Sequence, residues 1–296
     1  MTEHRVAAGA LVLAALFYGV TFPVVHDALR DVTPFAYVLG RFTLATLVLL
    51  PSAAAVARHG RVDRNALARA GVVAGVLLFG GYALQTVGLQ HTTPSTSAFI
   101  TGLYAVLTPV VEAAWHRRLP PFSVSAGLVV ATAGLYLLTG ATLELSRGEL
   151  FTLAAAALFA LHIVYIGSHT RRLHPVPFTT MQLAVIALCA IPPTAAEGTG
   201  RVTALAVFAV VFTGVACSAL ALPLQLWGQR HIGPSRAALI LLMEPVFAGV
   251  AGYVNGERLG TLRLLGGAVI LAGIAFAELG PGARRDDVVG VLDRAR

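Results

Sequence analysis

The sequence predicts an all-α integral membrane protein with ten transmembrane helices arranged as two inverted five-helix repeats. Three observations lead to this prediction: an apolar composition, ten apolar segments of spanning length, and a motif that occurs twice at a constant spacing. Of the 296 residues, 57% are hydrophobic and only 12% are charged. Soluble domains contain about 25% charged residues, so the lipid bilayer is the expected surrounding of this chain.

The ten apolar segments are long enough to cross a membrane. About 20 helical residues, rising about 1.5 Å each, span a hydrocarbon core of about 30 Å. The predicted segments cover approximately residues 6–25, 35–57, 68–89, 95–115, 122–139, 149–167, 176–191, 203–229, 235–253 and 262–278. Pro192 and Pro193 are expected to end the seventh segment, because proline removes a helical hydrogen bond.

Basic residues set the expected orientation. The net charge is +7 and every basic residue is an arginine, but these arginines lie between the apolar segments and form no single nucleic-acid-binding patch. With the N-terminus in the cytoplasm, 15 arginines fall on the inner side and five on the outer side. This bias predicts a multi-pass protein of the cytoplasmic membrane with both termini inside. Residues 280–296 are expected to form a polar cytoplasmic tail.

A repeated motif indicates internal duplication. LQTVGLQHTTPS, which begins at Leu84, recurs as LQLWGQRHIGPS 140 residues later. The predicted repeats cover residues 1–140 and 147–279. An odd number of helices in each repeat inverts the second copy, an arrangement that recurs in secondary transporters with a midplane substrate site. The duplicated Gln85 and Gln225 are expected to lock the two hairpins by interhelical hydrogen bonds. Since one hairpin would face outward and the other inward, no shared site is expected for them.

Glu244 is the deepest carboxylate, close to the predicted bilayer midplane. Apolar surroundings disfavour the charged form of a carboxyl group, so Glu244 is a candidate for proton coupling or substrate binding. The alternative is that it satisfies backbone groups freed by the Pro245 kink. Tyr104 occupies the equivalent position 140 residues earlier and is a second candidate. Pro109 does not share this spacing with Pro245, so the two kinks are expected to be asymmetric.

Two further polar residues lie within predicted spans. Arg41 either binds a substrate carboxylate through its planar guanidinium group or pairs with Asp27, Asp31 or a carbonyl. His162 either relays protons or, as a neutral ring, bonds to a neighbouring helix.

The sequence contains no nucleophile-elbow or phosphate-loop motif and no clustered histidines. No catalytic residue, cofactor or metal is therefore predicted.

The order of these motifs resembles the drug/metabolite transporter superfamily, specifically its EamA-type members. The resemblance lies in AALFYGVTFPVV near the start, HTTPSTSAFITGLYAVLTPVVEA in the first repeat, and HIGPSRAALILLMEPVFAGVAGYVNGERLG in the second. It implies ten helices in two inverted repeats. It also implies transport, often efflux, of small molecules that range from amino acids to drugs.

The sequence thus predicts a secondary active transporter that exports a small organic metabolite or drug by alternating access. Protons or another ion could supply the driving force, since no ATP-binding sequence is present. A homo-oligomer is compatible with this prediction. Two alternatives stay open: a membrane-embedded enzyme, and a membrane receptor or scaffold that transports nothing.

Overall fold

The protein is a bundle of α-helices. The computed structural model describes residues 2–59, 63–115, 117, 122–138, 145–169, 173–232 and 234–279, so the predicted tail at 280–296 lies outside the described residues. The helices are α1 (Thr2–Ala28), α2 (Pro34–His59), α3 (Arg64–Leu89), α4 (Pro94–Thr101), α5 (Tyr104–Trp115), α6 (Phe122–Leu138), α7 (Arg147–His169), α8 (Pro175–Glu197), α9 (Ala204–Phe212), α10 (Ala221–Ile232), α11 (Pro234–Leu241), α12 (Met243–Val254) and α13 (Thr261–Leu279). A π-helical segment, Thr213–Leu220, joins α9 to α10.

The number of apolar helices agrees with ten membrane crossings. Among the described residues, seven helices or continuous helix pairs are long and apolar enough to span a bilayer, and two shorter apolar helices lie in α6 and α13. The α11–α12 pair supplies the remaining segment, which is the ninth in chain order. The protein is therefore a multi-pass helical membrane protein. The described residues form no β-strand and contain one isolated bridge, between Val32 and Gly200.

One predicted helix end was wrong. Helix α8 continues through Pro192 and Pro193 as far as Glu197. Each proline removes one backbone donor, but the helical hydrogen bonds resume after them, since the amide of Gly198 donates to the carbonyl of Thr194 at 2.9 Å. The Thr194 hydroxyl also donates to the carbonyl of Ala190 at 2.7 Å.

Two membrane segments are each broken into two helices. The fourth segment is interrupted at residues 102–103, between α4 and α5, and the ninth at Leu242, between α11 and α12. These breaks are 140 residues apart, the same spacing as the duplicated motif. The breaks thus follow the repeat spacing, but the two prolines do not. Pro245 is the third residue of α12, close to its break, whereas Pro109 is the sixth residue of α5 and lies farther from its break.

Small residues allow the closest helix contacts. Helices α6 and α13 pack closely together, and a methyl group placed on Gly134 would lie 2.6 Å from the amide nitrogen of Ile270. Such contacts are typical of transmembrane helices that associate through glycine. The buried apolar side chains form two large clusters, one around Tyr104 and Leu241 and the other around Phe42 and Tyr82.

Helix ends from distant parts of the chain are joined at one face of the bundle, which we call face A. It contains residues 28–34, 89–94, 197–204 and 254–261, and the opposite face is face B. The amide of Arg201 donates to the carbonyl of Asp31 at 2.8 Å. Asn255 donates to the carboxylate of Asp27 at 2.9 Å. Both contacts connect the N-terminal half of the chain to the C-terminal half.

The third connection at face A involves Glu257 and the start of α4. The Ser95 hydroxyl and backbone amide donate to Oε2 of Glu257, at 2.7 Å and 3.2 Å. Ser95 is almost fully buried, at 1% exposure. A carboxylate at this position also interacts favourably with the positive N-terminal end of the helix dipole. Glu257 therefore attaches the loop after α12 to the start of α4.

We expect Glu257→Ala to lower the free energy of unfolding by about 1.5–3 kcal/mol, because it removes hydrogen bonds to a charged group and leaves the buried Ser95 amide unpaired. The measurement is the thermal unfolding midpoint of the purified protein in a neutral detergent. Glu197→Ala, at an exposed helix end, is the control and should change the midpoint little. Equal midpoints for the two variants would show that the Ser95–Glu257 contact adds no stability.

Candidate functional site

A polar cavity lies inside the bundle where the two apolar clusters meet. It contains about 510 Å³ of space outside the protein atoms, counting space that is open to the exterior. Its wall is made by α1, α2, α3, α7, α10 and the two broken segments. The lining residues are Tyr18, Thr21, Arg41, Leu78, Tyr82, Gln85, Thr101, Tyr104, Phe159, His162, Ile163, Leu222, Gln225, Leu241 and Glu244. All four predicted substrate or coupling candidates therefore share one cavity.

Glu244 and Tyr104 are in direct contact in this wall. The Tyr104 hydroxyl donates to Oε2 of Glu244 across a long 3.4 Å hydrogen bond. Both residues are buried, at 3% exposure for Tyr104 and 6% for Glu244. The two positions related by the 140-residue spacing thus meet at the cavity. Each lies just after the break in its own segment.

Two glycines pack against the first turn of α12, at Glu244 and Pro245. A methyl group on Gly19 of α1 would lie 2.6 Å from the carbonyl oxygen of Glu244, and one on Gly102 would lie 2.9 Å from Cγ of Pro245. Helix α1 and the break of the fourth segment therefore press against the two sides of this turn. Pro245 has a packing role at the contact between the two breaks. Pro109 lies inside α5 and is not among the cavity-lining residues.

Arg41 is buried in the wall, with 4% of its surface exposed. The expected pairing with Asp27 or Asp31 was wrong: Asp27 interacts with Arg30 and Asn255, and Asp31 accepts a hydrogen bond from Thr203. Both aspartates lie at face A, whereas Arg41 lies two helical turns deeper. Among the described residues, Arg41 forms no salt bridge. Its guanidinium carbon lies 5.0 Å from the centres of the Phe42 and Tyr82 rings.

The π-helical segment fixes the orientation of the arginine. Nε of Arg41 donates to the Ser218 hydroxyl at 2.8 Å. The Tyr37 hydroxyl lies 2.6 Å from Oγ1 of Thr213, whose own hydroxyl donates to the carbonyl of Ala209, so Tyr37 is the donor. A methyl group on Gly214 would lie 2.9 Å from the carbonyl oxygen of Arg41. π-helical turns occur frequently at functional sites, and this one surrounds the charged part of the cavity.

His162 is bonded to a neighbouring helix. Its Nε2 lies 2.8 Å from Oε1 of Gln182 on α8, and an amide oxygen accepts, so Nε2 carries the proton. The Gln182 amide nitrogen donates in turn to the carbonyl of Phe178. The structure thus places His162 both in the cavity wall and in the interhelical hydrogen bond that the sequence suggested.

The two duplicated glutamines line the same cavity, so the expectation that they share no site was wrong. Gln85 donates to the Thr101 hydroxyl at 3.1 Å, which links the two helices of its hairpin as expected. Gln225 instead accepts a 2.7 Å hydrogen bond from the Tyr18 hydroxyl of α1. The two hairpins begin at opposite faces, but both glutamines lie on the inner side of their helices.

Sequence reasoning missed several aromatic residues of the wall. Tyr18 bonds to Gln225, and Tyr82 packs against both Phe42 and Phe159 with ring centres 4.8 and 5.3 Å apart. The sequence held only a weak signal that α1 lines the cavity. Tyr18 and Thr21 are three residues apart within an otherwise apolar segment, so they lie on one face of the helix. Within the described residues, no group of three or more His, Cys, Asp or Glu side chains is arranged to hold a metal.

Comparison with known proteins identifies the family. The sequence pattern of the EamA-like transporter family matches residues 6–140 and again residues 146–279. The chain belongs to the EamA-like transporter family. An uncharacterized transporter of Archaeoglobus fulgidus is 30% identical over 271 residues, which cover 91% of this chain and 84% of that protein. The uncharacterized transporter YyaM of Bacillus subtilis is 25% identical over 89% of this chain and 90% of its own length.

A solved crystal structure supports the fold. It aligns with a TM-score of 0.69 over 92% of this chain and 96% of its own, at 21% sequence identity. Its family and the relatives named as transporters identify the EamA-like protein as a multi-pass membrane transporter. The family and the names of the relatives point to transport and away from enzymatic activity.

We expect Gly102→Ala to destabilise this EamA-like protein by about 1–3 kcal/mol, because an extra methyl group would overpack the contact between the breaks. Its thermal unfolding midpoint in detergent should fall. Gly249→Ala is the matched control: Gly249 also lies in a membrane segment, but a methyl group there would meet nothing within 4 Å. A midpoint for Gly102→Ala no lower than that of the control would contradict the close contact.

Proposed function

We propose that this protein is a secondary active transporter that exports a small organic molecule, with the central cavity as its substrate site. The observation that carries this proposal is the cavity itself: helices from both halves of the chain surround it, and it contains two buried ionisable groups, Arg41 and Glu244, that form no salt bridge among the described residues. Ionisable groups inside a membrane are costly and are characteristic of substrate and ion pathways.

The proposal includes two inverted five-helix repeats, residues 1–140 and 147–279. Matching glycine contacts support it. Gly88 packs against Phe151 of α7, and Gly228 packs against Leu11 of α1. Gly228 lies 140 residues after Gly88, and Leu11 lies 140 residues before Phe151. Gly88 lies near face A and Gly228 near face B. An exchange of partners between two opposite faces is what a two-fold axis in the membrane plane produces.

Helix packing supports the same symmetry. The second segments of the two halves, α2 and α8, pack together, and so do the fifth, α6 and α13. The third segment of each half packs against the first segment of the other, as α3 with α7 and α10 with α1. Two such units can rock against each other around a fixed central site, which is the usual form of alternating access in inverted-repeat carriers.

Glu244 is the proposed proton-coupling residue. A carboxyl group surrounded by Tyr104, Leu241 and other cavity residues loses water, which favours its neutral form. Movement of the break at Leu242 would change the exposure of the adjacent Glu244 to the two sides of the membrane. The side chain could then take up a proton on one side and release it on the other.

We expect Glu244→Gln to abolish pH-gradient-driven flux, because an amide cannot exchange a proton. The assay is uptake of a panel of amino acids, cationic drugs and nucleosides into proteoliposomes, with and without a pH gradient. Substrate equilibration without the gradient should persist in the variant, if more slowly.

The matched control is Glu149→Gln, which makes the same chemical change at a helix start outside the cavity. This control should keep the gradient-driven component. Full proton-driven flux in Glu244→Gln would show that Glu244 does not couple protons to transport. Saturable binding by the wild type without flux of any compound would favour a receptor over a transporter.

We further propose that face B is cytoplasmic, since most arginines lie in the segments that connect to it. Cysteine labelling tests this orientation in a background without Cys189 and Cys217. A membrane-impermeant thiol reagent should label Arg201→Cys, at face A, in intact cells. It should label Arg69→Cys, near face B, only after lysis. Both positions are exposed on the protein, so labelling depends on which side of the membrane each position faces. The opposite pattern would invert the topology.

A further inference from the structure

We propose that the substrate is a small organic acid whose carboxylate binds Arg41. This inference rests on the proposed function, in which the cavity is the substrate site, and adds the chemical class of the substrate. It starts from a residue whose charge the rest of the structure leaves uncompensated.

Arg41 is held in a way that leaves part of its guanidinium group for a ligand. Ser218 accepts the hydrogen bond from Nε, and the rings of Phe42 and Tyr82 lie against the guanidinium group. Arginine has five N–H donors, four of which are on the two terminal nitrogens. Tyr37 also lies within hydrogen-bonding reach of the guanidinium group. Several neighbours therefore orient the side chain, which lines the cavity.

The charge of Arg41 has no anionic partner among the described residues. Removing a cation from water is costly, and contacts with two aromatic rings offset only part of this cost. Glu244 lines the same cavity but forms no ion pair with Arg41. Tyr18 and Tyr82 line the cavity together with these two residues. An anion that enters the cavity would supply the missing partner.

A carboxylate fits this arrangement best. The terminal nitrogens of arginine form a planar fork that matches two carboxylate oxygens, and such paired hydrogen bonds are stronger than neutral ones. Lysine, a compact point charge, would offer no such fork. The Ser218 hydrogen bond and the rings of Phe42 and Tyr82 restrain the guanidinium group, which reduces the entropy lost when a ligand binds.

The remaining wall indicates the rest of the substrate. Near Tyr82 the cavity is lined by Phe159, Leu78 and Leu222, which offer apolar contacts. The inferred substrate thus has a carboxylate at one end and an apolar or aromatic body.

Binding to the purified full-length protein in a neutral detergent tests this inference without any need for flux. The probes are two acid–amide pairs of nearly equal shape: 3-phenylpropionate with 3-phenylpropionamide, and benzoate with benzamide. We expect each acid, at millimolar concentration, to raise the thermal unfolding midpoint, and to bind at least tenfold more tightly than its amide. The amide keeps the size and the ring but lacks the charge.

Variants locate the effect at Arg41. Arg41→Gln should abolish the preference for acids, and Arg41→Lys should retain a weaker preference because it keeps the charge but loses the fork. Arg69→Gln, which removes an exposed arginine outside the cavity, should behave as the wild type. If Arg41→Gln does not fold, the acid–amide comparison is made on the wild type and on Arg41→Lys. A preference for acids in the wild type that is weaker in Arg41→Lys would still support carboxylate binding at Arg41.

Three results would overturn the inference: no response to either acid, equal affinity for acid and amide, or an acid preference that survives in Arg41→Gln. The outcome is separate from that of the proposed function. Acid-selective binding with no flux in proteoliposomes would support the carboxylate site and refute transport. Flux of compounds without a carboxylate, together with no acid preference, would support transport and refute the carboxylate site.

Discussion

The contact between the two broken membrane segments is the constraint on which the rest of the site depends. Gly102 lies against Pro245, and Gly19 lies against the carbonyl of Glu244. Irregular backbone at membrane depth is tolerated only where it is buried in protein or lines a cavity. Here each break is covered by the other half of the chain, and this contact brings Glu244 and Tyr104 together at the cavity wall.

The polar groups of the cavity form two regions with different chemistry. The carboxyl group of Glu244 accepts a hydrogen bond from the Tyr104 hydroxyl and forms no salt bridge among the described residues. Arg41 is held rigidly by Ser218 and aromatic rings. Tyrosine side chains lie between the two regions. One region is suited to a proton and the other to an anion, so the two roles proposed for the site do not compete for the same residue.

Much of the fold followed from the sequence, but the site followed only in part. Composition and apolar length predicted the ten segments, because spanning helices need about 20 apolar residues whatever their neighbours. Polarity inside those segments predicted Arg41, His162 and Glu244, since such residues are rare in hydrocarbon. The sequence did not predict that Tyr82 lines the cavity. An aromatic residue within a helix has the same local signal whether it faces lipid, a neighbouring helix or a cavity.

What the sequence determined by itself is the membrane location, the family, the duplication and the small set of costly polar residues. Tertiary structure decided which of those residues meet. Gln85 and Gln225 belong to hairpins that begin at opposite faces, yet both reach one cavity, because each helix turns that side inward. The partner of Arg41 likewise proved to be Ser218 of the π-helical segment, 177 residues away along the chain. Such a pairing depends on helix rotation and packing, which local sequence patterns do not encode.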